Sequence, residues 1–163
     1  MAGDLVRIDW TDGRFVDPAQ LDAFHAQTLP VDPPCGSHDG KVVAVGWRVA
    51  WIDEDLAELV WRAWRLGVVT EESCQDALDD GTQALLGFGD PDQLRQFLEL
   101  AVPLSDVPGG LFDRATGCNL DPDADGMWEY SLFPHLGGRG CELSVSVLFP
   151  RSDIAALVAS LRR

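Results

Sequence analysis

Apolar side chains recur along this chain in two rhythms, and the changes of rhythm mark the expected elements. Leu5-Val6-Arg7-Ile8-Asp9-Trp10 alternates as a strand does, with Asp12-Gly13 as its closing turn. Asp17-Pro18 then has the form of an N-cap followed by proline in the first helical position, and Leu21, Phe24 and Leu29 supply a buried stripe. Pro30 to Gly40 is rich in proline and glycine and is expected to be a loop. Val42 to Ile52 returns to a β rhythm, with Trp47, Val49 and Trp51 on one parity, and predicts one long strand.

The clearest helix follows. Asp53-Glu54-Asp55 places acids where a helix N-terminus carries partial positive charge, and Leu56, Leu59, Val60, Ala63 and Leu66 share one face. Arg62 and Arg65 lie near its end, and Gly67 suits the left-handed C′ position. Trp61 and Trp64 flank the stripe and widen it, which predicts that they cover a neighbouring sheet.

Val68 to Thr70 predicts a short strand, Glu71 to Asp76 a polar segment, and Thr82 to Phe88 another strand. Asp90-Pro91 caps a helix with Leu94, Phe97, Leu98 and Ala101 on one face. Pro103 to Gly126 is expected to be irregular throughout. Met127 to Phe133 and Glu142 to Phe149 predict a β-hairpin, and Pro150 to Leu161 a closing helix with Ile154, Leu157, Val158 and Leu161 inward. The expected fold is therefore α+β in two layers, a mixed and mostly antiparallel sheet with helices packed on one face, in one domain over residues 1–163.

Composition agrees with a packed core. Hydrophobic residues are 46% of 163, and a chain of this length buries about two-thirds of its unfolded surface. No apolar run nears the roughly 20 residues of a membrane span, and Met1-Ala2-Gly3-Asp4-Leu5 has no secretory character. The expected compartment is the cytoplasm. In that reducing setting Cys35, Cys74, Cys118 and Cys141, which form no CxxC pair, are expected as thiols.

Charge changes the picture further. Twenty-seven acidic residues against 12 basic ones give a formal charge of −15. Phosphate backbones and anionic lipid are repelled, so neither nucleic acid nor membrane is an expected partner, whereas a basic protein surface is attracted. Six tryptophans offer anchors to such a partner wherever they remain exposed.

Two stretches carry candidate chemistry. Asp121-Pro122-Asp123-Ala124-Asp125-Gly126-Met127-Trp128-Glu129 sets carboxylates at alternate positions of a turning loop, as a calcium ion requires. Asp121, Asp123, Asp125 and Glu129 would supply side-chain oxygens, Met127 its carbonyl, and Gly126 the turn. The segment resembles the first nine positions of an EF-hand loop but has Leu132 at the twelfth and runs into a strand. Cys74 is the candidate nucleophile. Glu71, Glu72 and Asp76 around it favour the protonated thiol, so the more economical reading is a structural cysteine. A third grouping, Cys35 and His38 with His135 and Cys141, has ligands zinc accepts if the fold brings them together.

The run from Trp51 through Trp64-Arg65-Leu66-Gly67-Val68-Val69-Thr70-Glu71-Glu72-Ser73-Cys74-Gln75 resembles a pattern found in small uncharacterised bacterial proteins, frequent among actinobacteria. It consists of a strand, a helix ending in glycine, a short strand and Thr-x-x-Ser-Cys-Gln. Many of those proteins have glycine where this chain has Asp76. The resemblance covers about the middle third of the chain and implies a small α/β or α+β fold without implying an activity. No P-loop, dinucleotide fingerprint, HExxH or GxSxG is present, so no cofactor is expected beyond a calcium ion. The sequence thus favours a non-enzymatic protein-binding or regulatory module, with a cation-binding domain and a cysteine enzyme as alternatives.

Overall fold

A computed structural model describes residues 39–46, 48–78, 81–104, 109–117, 126–137 and 140–161. The strand and helix expected before residue 30, together with Trp10, Cys35, His38, Trp47, Cys118, Asp121, Asp123 and Asp125, lie outside the described residues. The fold is α+β.

The first described element corrects the sequence reading. Val42 to Ile52 forms two strands, β1 (Gly40–Val45) and β2 (Arg48–Asp53), paired antiparallel with Val45 opposite Arg48. The chain reverses at Gly46, whose φ of 60° lies in the left-handed region that glycine enters without steric cost. Alternation continues through a tight hairpin turn, so periodicity alone does not reveal it. Gly40 is needed for a different reason: a Cβ there would lie 2.0 Å from the Trp51 indole nitrogen.

Helix α1 (Glu54–Arg65) follows β2 directly and buries Leu56, Ala57, Leu59, Val60 and Ala63. It closes as expected, with Gly67 at φ 86°. The Gly67 N–H donates to Trp64 O at 3.1 Å and the Val68 N–H to Ala63 O at 3.0 Å, a Schellman pair.

A second sheet has the strand order β3 (Glu72–Cys74), β4 (Gln83–Phe88), β6 (Gly140–Pro150), β5 (Glu129–Gly137), every pairing antiparallel. Among the described residues the strands thus form two antiparallel sheets, where a single mixed, mostly antiparallel one was expected. The expected strand at Val68 to Thr70 is also displaced, because pairing with β4 falls on Glu72 to Cys74. An edge strand is fixed by backbone hydrogen bonds to its neighbour, so a polar sequence there conceals it. The predicted hairpin is present and longer than expected.

Register sets the core. Ala84, Leu86 and Phe88 stand opposite Phe149, Val147 and Val145, and all six are buried. Burying each large side chain stabilises the fold by roughly 1.5–3 kcal/mol. Onto this cluster pack Leu94, Phe97 and Ala101 of α2 (Pro91–Ala101), and Leu157 and Val158 of α4 (Ile154–Ser160). Phe88 and Phe97 meet with ring centroids 5.5 Å apart. Helix α2 begins as its sequence predicts: the Gln93 N–H donates to Asp90 Oδ1 at 2.9 Å, with proline at the start. A 3-10 turn, Arg151–Asp153, precedes α4.

One helix had no counterpart in the sequence reading. α3 (Leu111–Thr116) interrupts the supposedly irregular stretch, starting after Gly110 and stopping at Gly117, which has φ 69°.

Candidate functional site

The Thr-x-x-Ser-Cys-Gln stretch behaves as a clamp on α1. Thr70 is buried, and its Oγ1 accepts from the Trp64 indole N–H at 3.0 Å. At the other end the Gln75 N–H donates to the buried carboxylate of Asp53, 2.8 Å to Oδ2. Gln75 Oε1 in turn accepts the Asp55 N–H at 3.1 Å. A helix N-terminus leaves its first N–H groups without intrahelical acceptors, and Asp53 makes no side-chain cap to its own helix. The acceptors come instead from elsewhere, Gln75 for Asp55 and Asp39 O for Glu54 at 3.0 Å. Asp76 has its own task, since its Oδ1 accepts the Gly81 N–H at 2.6 Å.

Cys74 sits inside this clamp. It is the last residue of β3, opposite Leu85, rather than in a turn beyond the strand. Its thiol is buried. Of the five calcium candidates, Met127 and Glu129 are described. Met127 is half-buried, and Glu129 is exposed at the start of β5, opposite Leu148. Asp121, Asp123 and Asp125 lie outside the described residues, as do Cys35 and His38 of the zinc grouping. Backbone register places Leu136 opposite Cys141 and His135 opposite Glu142. Among the described residues no three His, Cys, Asp or Glu side chains converge as metal ligands.

One chemically distinct surface was not foreseen. An apolar groove of about 420 Å³ runs between the end of α2 and α3, with Leu98, Val102 and Leu104 on one side and Phe112 and Ala115 on the other. Two lining residues carry polar side chains. Thr116 turns its hydroxyl onto Phe112 O at 2.8 Å, which leaves Glu99 as the ionisable group. Leu104 is 86% exposed.

A six-residue helix is too short to be stable on its own, so α3 depends on what holds it. The buried carboxylate of Asp153 accepts from Arg114 at 2.6 Å (Oδ1) and 3.2 Å (Oδ2), and from the Trp128 indole N–H at 2.9 Å. The Trp128 N–H returns to Arg114 O at 3.0 Å. Ahead of the helix, Asp113 Oδ2 accepts the Gly109 N–H at 2.9 Å, and the Arg114 guanidinium reaches Gly109 O. Finally, the Tyr130 hydroxyl donates to Ala115 O at 2.6 Å. That last bond brings β5 against the groove wall, and with it the apolar edge of the hairpin. Tyr130 and Leu132 point to one face of β5 and Phe133 to the other, and all three are exposed.

None of the described tryptophans is among the exposed apolar residues. Trp128 is buried with its ring 5.2 Å from that of Phe149, while Trp61 and Trp64 are half-buried against the core. Arg65 stacks over Trp61 at 4.9 Å. Among the described residues, large exposed apolar side chains are leucines and the β5 aromatics. No protein-family model, curated protein or solved structure shows significant similarity to this chain.

Three outcomes are expected from these contacts. Gln75→Ala removes the surrogate cap of α1 and lowers unfolding stability by about 1 kcal/mol in urea titration. Arg114→Ala strips the guanidinium from a buried carboxylate and costs about 3 kcal/mol; a loss no larger than that of Gln75→Ala would show the Arg114–Asp153 pair to be dispensable. Burial pushes the Tyr130 phenol up to about 12 from its usual 10.0. Because the folded state holds this proton where the unfolded chain has released it, stability falls as pH rises from about 10 towards 12. Tyr130 is the single tyrosine, so phenolate absorption reads it directly. The midpoint near 12 in the native protein should drop to about 10 in urea; equal midpoints would contradict the partial burial of the phenol against Ala115.

Proposed function

We propose that this chain is a non-enzymatic protein-binding or regulatory module that meets its partner at the α2–α3 groove and the adjoining face of β5. The observation that carries the reading is the grouping of exposed apolar side chains. Leu104 stands at the groove, and Tyr130 and Leu132 adjoin it through the Tyr130–Ala115 contact. Isolated exposed leucines are ordinary on any protein, whereas contiguous apolar patches beside polar surroundings mark interaction sites.

A small-molecule site is the natural competitor, since the groove volume falls within the range for such pockets. Those pockets fix their ligands with a few convergent polar groups. Here the one lining carboxylate, Glu99, is 2.8 Å from Arg95, and the Thr116 hydroxyl is turned into its own helix. The surface suits burial of apolar side chains better than orientation of a polar ligand. Cys74 adds little to an enzymatic reading, because a thiol attacks as the exposed thiolate and this one is buried.

The test compares baits that differ at one exposed leucine. Leu104→Asp alters the groove, and Leu78→Asp alters another exposed position beyond β3, at the sheet edge opposite β5. Both variants should keep the wild-type unfolding midpoint within about 0.5 kcal/mol. A partner recovered from the native host should remain with wild type and Leu78→Asp and be lost from Leu104→Asp. The reading fails if no protein distinguishes the two variants.

A further inference from the structure

The groove also constrains what its partner is made of, an inference that rests on the protein-binding reading above. We infer that the segment it receives is a cationic amphipathic α-helix, with its apolar face between α2 and α3 and its lysines or arginines along the rims.

The backbone argument selects a helix. Leu98 and Glu99 of α2 and Phe112, Ala115 and Thr116 of α3 put helical backbone along most of the lining, and Val102, Pro103 and Leu104 continue it beyond the end of α2. An extended segment laid there would bury its own peptide groups without acceptors or donors, which is costly in apolar surroundings. A helix satisfies its peptide groups internally and offers only side chains. Two helices side by side also present a furrow into which a third helix sets its i, i+3, i+4 ridge at roughly 8–10 Å between axes.

Charge selects the sign. Glu99 is the ionisable residue of the lining. On the exposed face of α2 Arg95 pairs with Glu99 at 2.8 Å and Asp92 at 3.4 Å, so two carboxylates share one guanidinium and the rim stays negative. On the other wall Arg114 is committed to Asp153. Within a chain of formal charge −15, a negative rim attracts a basic helix and repels both an acidic one and a second copy of the chain.

The experiment titrates the intact chain with three designed peptides of equal length. One is an amphipathic Leu/Lys helix, one replaces its lysines by glutamates, and one keeps the lysines but replaces the leucines by serines. Calorimetry gives affinity and circular dichroism gives peptide helicity. The Leu/Lys peptide should bind and gain helicity, with at least tenfold weaker binding by each of the other two and falling affinity as salt rises. Leu104→Asp should weaken it severalfold even though the substitution adds negative charge, and Glu99→Lys should weaken it as well.

Other outcomes separate the two levels of the claim. Equal binding of the Leu/Lys and Leu/Glu peptides, both lost in Leu104→Asp, overturns the cationic partner and leaves the groove as a docking site. Binding without helicity, with amide shifts confined to β5, overturns the helix in favour of strand addition. Sedimentation showing a dimer that Leu104→Asp dissociates assigns the groove to a second copy and overturns the inference. Peptide affinity indifferent to Leu104→Asp sinks the groove reading itself.

Discussion

A carboxylate taken out of water must find charge and hydrogen bonds inside the protein, and Asp153 is where this fold meets that demand. Burying an ion without partners costs several kcal/mol. Asp153 is 3% exposed and is reached by the Arg114 guanidinium from α3 and by the Trp128 indole from the approach to β5. These donors come from segments with no sequence proximity to it. Satisfying one side chain therefore fixes where α3 lies, how the chain enters β5, and how α4 starts. The groove is a consequence, because its second wall is the helix that Arg114 anchors.

Asp53 applies the same logic at the other end of the core. Its carboxylate receives the Gln75 N–H, and Gln75 returns an acceptor to the start of α1. The exchange ties β3 to the β2–α1 junction through two side chains rather than through a sheet ladder, since β2 and β3 belong to different sheets. The Thr-x-x-Ser-Cys-Gln stretch thereby acquires a physical meaning. Thr70 holds Trp64, Gln75 holds the helix N-terminus, and Cys74 fills the buried position between them. Arg151 adds a more exposed link to Asp55, an ion pair of small individual weight.

What was legible in the sequence was local. The stripe of α1 with its glycine stop, the Asp90-Pro91 start of α2 and the long hairpin all follow from periodicity and capping, and each is present. What escaped was fixed by distant partners. Glu72 to Cys74 becomes a strand because β4 offers it a ladder, while its own residues are polar. Leu111 to Thr116 becomes a helix because Asp153 and Tyr130 hold it, while its flanking glycines resemble an ordinary loop. Gly46 conceals a hairpin inside an uninterrupted alternation. The groove was illegible for the same reason, since Leu98 and Phe112 are far from obvious neighbours until α3 exists. Leu98 packs against the core from the expected face of α2 and lines the groove as well.

An apolar groove and a strongly acidic chain might be thought to work against one another, yet each makes the other tenable. Exposed leucines and aromatics invite self-association through whichever apolar surfaces collide first. Copies of this protein each carry a formal −15, so their mutual approach is opposed over a distance of about 8–10 Å at ordinary ionic strength. The repulsion is indifferent to detail and acts before any leucine touches another. A segment of opposite charge experiences the reverse, arriving faster and in an orientation that brings its apolar face down last. For the proposed partner, apolar contact would then supply the holding energy, most of it at short range, after the carboxylates had selected which surfaces come close enough to use it.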